Sequence, residues 1–366
     1  FPESHAASFA LIAYASSFVK CRYPDVFCAA LVNSQPMGFY AVAQIIRDAV
    51  EHGVVVRPVC INASRWDCTL EPIEGSSRHA VRLGMRLVKG LAVAEVARLV
   101  LSRGEAPFDS VDDVWKRSGA HASTLERLAK ADAFRSLDLE RRQASWKMKG
   151  MRDDPLALWV AADERNARNL PEAVEPDVML KAMTAGREVV EDYTRIGLTL
   201  RDHPMSFLRN DLRARRIVTC AEAGGLPDGR WTFAAGLVLV RQRPGSAKGV
   251  MFATLEDESG VVNIVVWPSL FEKQRSVVLG AGLLAVNGKI QREGDVVHLV
   301  AQRLFDLTSD LSSLSDRDGG AFTLPHGRGD ELRHGPPGPD SRSPKEPPMQ
   351  ARNIYIPDLH IDTLKI

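Results

Sequence analysis

The chain has 366 residues, 45% apolar and 7% aromatic, enough to bury more than one core and to predict roughly two or three domains. Its 47 Lys and Arg against 46 Asp and Glu leave a net charge of +1, which rules out a uniformly cationic or acidic protein and identifies no partner by itself. Cys21, Cys28, Cys60, Cys68 and Cys220 form no C-x-x-C pair, so neither a zinc site nor a disulfide framework is predicted, and the reading is a reduced, cytoplasmic chain. No apolar run reaches the length of about 20 residues that spans a bilayer, so no membrane partner is expected.

In chain order, Ser8 to Lys20 and Asp25 to Val32 read as two buried helices, with Pro24 restarting the chain between them. Val42 to His52 carries a helical apolar stripe that Gly53 terminates. Val54 to Val56, Val59 to Ile61 and Trp66 to Leu70 read as short extended segments. From Ala80 to Phe134 the pattern is of short helices joined at Gly84, Gly90, Gly104 and Gly119, with capping boxes at Ser110 with Asp113 and at Ser123 with Glu126. Residues 78–152 hold 16 Lys and Arg against 9 Asp and Glu, a net of +7, whereas 153–229 hold 10 against 14, a net of −4.

Five strand-like segments follow: Trp231 to Arg243, Gly249 to Leu255, Val261 to Trp267, Leu283 to Gln291 and Asp295 to Leu304. Turn signals such as Glu258-Ser259-Gly260 and Glu293-Gly294-Asp295 separate them, and Ser269 to Val277 reads as a helical insert, which suits a small barrel. Beyond Leu307 the composition turns to Gly, Pro, Ser and charge, the signature of disorder over 309–350, before apolar residues return at 353–366 as a candidate docking peptide.

Arg82 to Ala92, followed by a helix from Val93 to Ser102, has the outline of a helix-hairpin-helix. In that motif the amides of a glycine hairpin approach a phosphate and nearby cations neutralise it without reading bases. Arg86, Lys89 and Gly90 are its candidate duplex-binding residues. The second hairpin glycine is Ala92, and an ordinary helical turn with surface charge fits equally well. In the barrel, Phe252 and Trp267 with Arg241, Arg243, Lys248, Lys289 and Arg292 have the residue types of single-strand binding, where bases stack on rings and cations hold the backbone. The alternative is that both rings belong to the core. His5, beside Ser4, is either a phosphate contact or a packing residue. The paired carboxylates at Asp153-Asp154, Glu191-Asp192 and Glu256 to Glu258 read as solvated turns, so no metal is expected in this chain.

Phe1-Pro2-Glu3-Ser4-His5-Ala6-Ala7-Ser8-Phe9 and its continuation to Ala15 resemble the late fingers segment of bacterial C-family DNA polymerases. Asn33 to Tyr40 resembles the error-prone, damage-inducible branch in particular. Arg57-Pro58, Ile61-Asn62-Ala63-Ser64, Gly84 to Gly90, Ala131 to Phe134, Gly197 to Pro204, and Thr254 to Gly260 with Trp267-Pro268 and Phe271 extend the resemblance in the same order along the chain.

The resemblance implies a multidomain α+β chain: fingers at 1–77, a helix-hairpin-helix region at 78–150, a connector at 151–229, a five-stranded OB-fold β-barrel at 230–308 and a tail at 309–366. It implies deoxynucleotide addition to a primer in translesion synthesis, with Mg2+ held on palm aspartates upstream of Phe1, so that no catalytic residue lies in this chain and the chain is inactive alone. A start at Phe1 rather than Met fits a piece of something longer. Ser4 and His5 would lie near the nascent base pair, Arg86, Lys89 and Gly90 along the duplex, and the barrel near the single-stranded template. Primer-template DNA and deoxynucleoside triphosphates are the implied partners. Replicative relatives carry a glutamine-led clamp-binding peptide that residues 146–200 lack, which implies recruitment by accessory mutagenesis proteins and only indirect use of the sliding clamp. A non-catalytic repair module built from the same helix-hairpin-helix and OB parts is the competing reading.

Overall fold

In a computed structural model of the chain, residues 3–37, 40–149 and 180–314 are described here. Helix α1 (Glu3–Arg22) leads through Tyr23 into α2 (Pro24–Asn33), which starts on a proline whose fixed φ suits a first helical turn. Helix α2 is buried as the sequence predicts, but α1 is not. Phe9, Leu11, Ile12, Tyr14 and Phe18 of α1 all stand in solvent. Its apolar residues ring the helix instead of forming one stripe, and among the described elements it rests mainly on α2, with Lys20 paired to Asp48 at 2.9 Å.

Helix α3 (Val42–Glu51) ends before Gly53, whose φ of +79° makes the turn into a small sheet. Strands β1 (Val56–Arg57), β2 (Thr69–Pro72) and β3 (His79–Arg82) lie in the order β1-β3-β2, with β1 parallel and β2 antiparallel to β3. Strand β3 is absent from the sequence reading, because four residues are too few to establish a period. Glu71 on β2 locks the three strands by accepting from Arg57 at 2.6 Å and Arg82 at 2.8 Å. Asn33 bonds the Cys68 backbone in both directions, and Asn62 does the same for Phe108. Two residues of the resemblance strings are therefore backbone clamps.

Around one core that includes Leu99, Leu125, Leu128 and Phe134 pack α4 (Val93–Arg103), α5 (Val111–Ser118), α6 (Ala122–Lys130) and α7 (Arg141–Lys149). Ser110 caps α5 by accepting from Asp113 N at 3.1 Å, which is half of the predicted box; the Asp113 carboxylate accepts the Asp109 N–H at 3.4 Å in place of the Ser110 one. The second predicted box does not form. Helix α6 begins at Ala122, which puts Ser123 inside its first turn, and Glu95 of α4 accepts the His121 N–H at 3.1 Å instead.

Residues 180–229, read as connector, are packed helices. In α8 (Ala185–Arg195), Glu188 and Asp192 surround buried Arg141 of α7. Helices α9 (Pro204–Ala214) and α10 (Cys220–Gly224) pack on the barrel instead. The apolar residues Val190, Met205, Leu208 and Leu212 sit on single stripes facing their neighbours, which a net-charge reading of the segment hides.

The barrel closes in the order β4-β5-β6-β8-β7, from β4 (Trp231–Gln242), β5 (Met251–Asp257), β6 (Gly260–Val266), β7 (Leu283–Glu293) and β8 (Val296–Asp306). All five strands and the helical insert, α11 (Pro268–Lys273) with α12 (Arg275–Gly280), stand where the sequence puts them. Alternation fills the interior with Val238, Met251, Leu255, Ile264, Val286, Ile290 and Leu299. Gly236 and Gly288 allow closure: a Cβ on either would stand 2.7 Å from Glu256 O or 2.2 Å from Val300 O. Of the tail, residues 309–314 are described. They complete α13 (Thr308–Ser312) and bury Leu311 and Leu314, so the apolar core reaches past the predicted boundary. The remainder, with the docking peptide at 353–366, lies outside the described residues.

Candidate nucleic-acid interface

The hairpin is built from β3 outward. Gly84 ends the strand so close to the backbone of Trp66 to Cys68 that a Cβ would stand 2.4 Å from Trp66 O. One 3-10 turn later, Gly90 at φ +82° reverses the chain into α4. Ala92 is the N-cap of α4 in extended backbone at φ −99°, a conformation any residue adopts, so the hairpin does not need a second glycine there. Ala92 has no side chain able to cap α4, so among the described residues no cap bond occupies its first amides at the positive end of the helix dipole, where acidic Glu95 also stands in the first turn. Such an end attracts anions.

Of the predicted duplex residues, Lys89 and Gly90 are exposed at this end. The Lys89 ammonium donates to Tyr193 O at 3.3 Å from α8. Arg86 points the other way: its guanidinium donates to Asn33 O and Gln35 O and pairs with Asp67 at 2.8 Å, binding the end of α2 to the hairpin base. A residue missed in the sequence stands beside Gly90. Arg127 on α6, itself exposed, donates from Nη1 to Gly90 O at 2.7 Å. Below, buried Arg103 at the far end of α4 donates to Ile61 O and Ser64 O, and burial lowers its pKa.

Ser4 and His5 fall in the first turn of α1, where the exposed His5 ring meets Phe9 edge-on at 4.5 Å.

The barrel residues named from sequence do not form one cluster. Arg241 donates to Val278 O at 2.7 Å and to Ala281 O, and burial lowers its pKa. Arg292 donates to Leu226 O at 3.2 Å and to Gly224 O. Both guanidiniums hold loops to the barrel. Lys248, in left-handed backbone at φ +49°, and Trp267 are exposed near one end, where Arg243 lies 4.5 Å over the Phe271 ring. Phe252 is half-buried on β5, opposite Val265. Lys289 is on another part of the wall, on β7 directly across from Trp231. Trp231 opens a strand that was predicted correctly, yet only the register shows its neighbour.

Among the described residues no three His, Cys, Asp or Glu side chains stand close enough together to hold a metal ion, and no described helix is long and apolar enough to cross a membrane. The chain thus joins a glycine-marked helical hairpin and a closed five-stranded barrel, two elements that the comparison with known families resolves separately. The sequence agrees: residues 53–144 match the helix-hairpin-helix motif family and residues 232–307 the OB-fold nucleic acid binding domain family.

The particular relatives are error-prone DNA polymerases. Error-prone DNA polymerase 2 of Rhizobium meliloti is 67% identical over 368 residues, and the enzyme of that name from Agrobacterium fabrum is 66% identical over 367; each alignment covers 100% of this chain and 34% of the relative. The error-prone DNA polymerase of Allorhizobium ampelinum is 64% identical, covering 98% of this chain and 32% of the relative. The chain thus spans about a third of the length of the curated relatives it matches. The resemblance to the error-prone branch holds over the whole chain.

Proposed function

We propose that this chain is the DNA-gripping part of an error-prone DNA polymerase that extends primers in translesion synthesis and damage-induced mutagenesis. The observation that carries the reading is the α4 start: uncapped amides behind a positive-φ glycine, with the Lys89 and Arg127 cations beside them, in a stretch that matches the helix-hairpin-helix motif. Amides and cations of this kind hold phosphate oxygens without regard to sequence, which suits an enzyme that must accept any duplex.

In this reading the palm carboxylates, the Mg2+ they hold and the deoxynucleoside triphosphate site belong to the part of the relatives that this chain does not span. The chain alone then binds DNA without adding nucleotides. Recruitment to damage falls to accessory mutagenesis proteins, with the sliding clamp reached through them.

The test is titration of the chain with labelled primer-template DNA from about 50 to about 200 mM salt, where each neutralised phosphate contributes about 0.9 to the slope of log affinity against log salt. Binding with a slope of several units supports the reading. No binding at low salt overturns it.

A further inference from the structure

We infer that the outer face of β4, β7 and β8 is a single-strand-binding surface, with Trp231 as its stacking residue and Lys289 and Arg303 as its phosphate contacts. The inference deepens the DNA-gripping reading above and rests on it.

The register places the residues in two rows. Trp231 on β4 pairs with Lys289 on β7, which pairs with Val300 on β8; two residues along, Phe233 pairs with Asn287, which pairs with Arg303. Directly paired side chains on one face stand about 4.5–5.5 Å apart at Cβ, so each row brings a ring beside polar or cationic groups. Trp231 is 57% exposed at the start of its strand, and Lys289 and Arg303 are both exposed. Arg303 lies 5.5 Å over Phe305, which itself packs on Phe233 at 5.4 Å, so the second row is held rigid from beneath.

Further along the same strands the face is closed. Ala235, Leu237, Leu283 and Ala285 are covered by α9 and α13 through Met205, Leu208 and Leu311. The open part is therefore bounded by packed helices on one side and by the turn at Gly294 on the other.

Charge selects the occupant. Among the described residues Lys289 and Arg303 enter no ion pair, while the carboxylates nearest them in sequence are engaged: Glu293 accepts from Gln291, and Asp306 accepts the Thr308 N–H at 2.9 Å. A buried apolar protein interface would strand two cations. A polyanion with stackable rings satisfies both the cations and the indole, and in a duplex the base faces are already stacked on one another. Single-stranded DNA fits.

The experiment compares the full chain with Trp231→Ala, Trp231→Phe and the Lys289→Ala/Arg303→Ala pair, each titrated into end-labelled oligodeoxythymidylate and separately into labelled primer-template DNA and followed by anisotropy of the label. Thermal melting controls for folding. The expected result is a loss of about tenfold in single-strand affinity for Trp231→Ala with most of it kept in Trp231→Phe. The charge pair lowers the salt slope by about one to two units. Unchanged single-strand affinity in both Trp231→Ala and the charge pair, with primer-template binding intact, overturns this face and leaves the hairpin reading standing. Failure of the unmodified chain to bind either DNA removes both.

Discussion

Arg127 and Gly90, 37 residues apart, are joined by one hydrogen bond of 2.7 Å that fixes the tip of the hairpin from the neighbouring helix. The guanidinium fills the space a side chain at position 90 would enter, since a Cβ there would lie 3.2 Å from Arg127 Nε. Gly90→Ala is expected to meet both penalties, about 1–2 kcal/mol for the left-handed backbone plus the displaced arginine. Primer-template affinity should fall several-fold. Arg127→Lys, which keeps the charge, should weaken binding without changing the salt slope, whereas Arg127→Ala should change both. Equal slopes and affinities for all three proteins in anisotropy titrations would detach this contact from DNA binding.

Arg86 and Lys89 are close in sequence and bond different neighbours, Asn33 and Gln35 for the first and Tyr193 for the second. Arg86→Ala removes the donors to Asn33 O and Gln35 O and the Asp67 pair, so a lower melting temperature is expected, with a loss of about 1–3 kcal/mol for the stranded acceptors. Lys89→Ala should melt almost as the unmodified chain does and reduce the salt slope of duplex binding by about one unit. A stable Arg86→Ala variant with weakened DNA binding would reverse the assignment.

Glu71 predicts a pH dependence. Burial opposes its ionisation, but bonds from Arg82 and Arg57 outweigh that and hold its pKa below the ordinary 4.5. The fold therefore favours the ionised form. Its contribution is complete above that ordinary value and drains away as the pH falls through the lower folded value. Urea unfolding at about pH 7 should find Glu71→Gln the less stable, and the gap should narrow by about pH 3.5. A gap that stays constant with pH would mean the carboxylate charge is not what locks β1, β2 and β3.

Arg209 joins α9 to the β5–β6 turn through Asp257 at 2.8 Å and Glu258. Asp257 is 2% exposed and also accepts the Cys220 N–H, so Arg209→Ala strands a carboxylate inside the protein. The expected loss is about 3–5 kcal/mol in chemical denaturation. A loss under about 1 kcal/mol would class the pair with ordinary surface bridges.

The barrel was the most legible part of the chain. Strict alternation in Met251 to Leu255 and the Glu258-Ser259-Gly260 turn state where strands run and reverse, and local chemistry suffices for both. Contacts distant in sequence were not legible. Nothing near Arg86 announces acceptors on residues 33 and 35, and nothing near Lys289 announces Trp231, because pairing across strands depends on a register that the chain acquires only on closing. Burial of α1 failed for a related reason: apolar content says that a helix can be covered, and a neighbour must exist to cover it. Gly90 was legible because its positive φ is a local demand, and Arg127 was not, since an arginine on α6 carries no sign of the carbonyl it meets.

The barrel is sealed between β6 and β8 by a parallel ladder of three residue pairs, Asn263 with His298, Ile264 with Leu299 and Val265 with Val300, whereas β7 and β8 share ten. Unzipping should begin at that short seam, and amides of residues 263–265 should exchange with deuterated water before those of residues 284–292. Because β4, β7 and β8 stay laced to one another when the seam parts, the Trp231 wall keeps its shape while the barrel breathes on its far side.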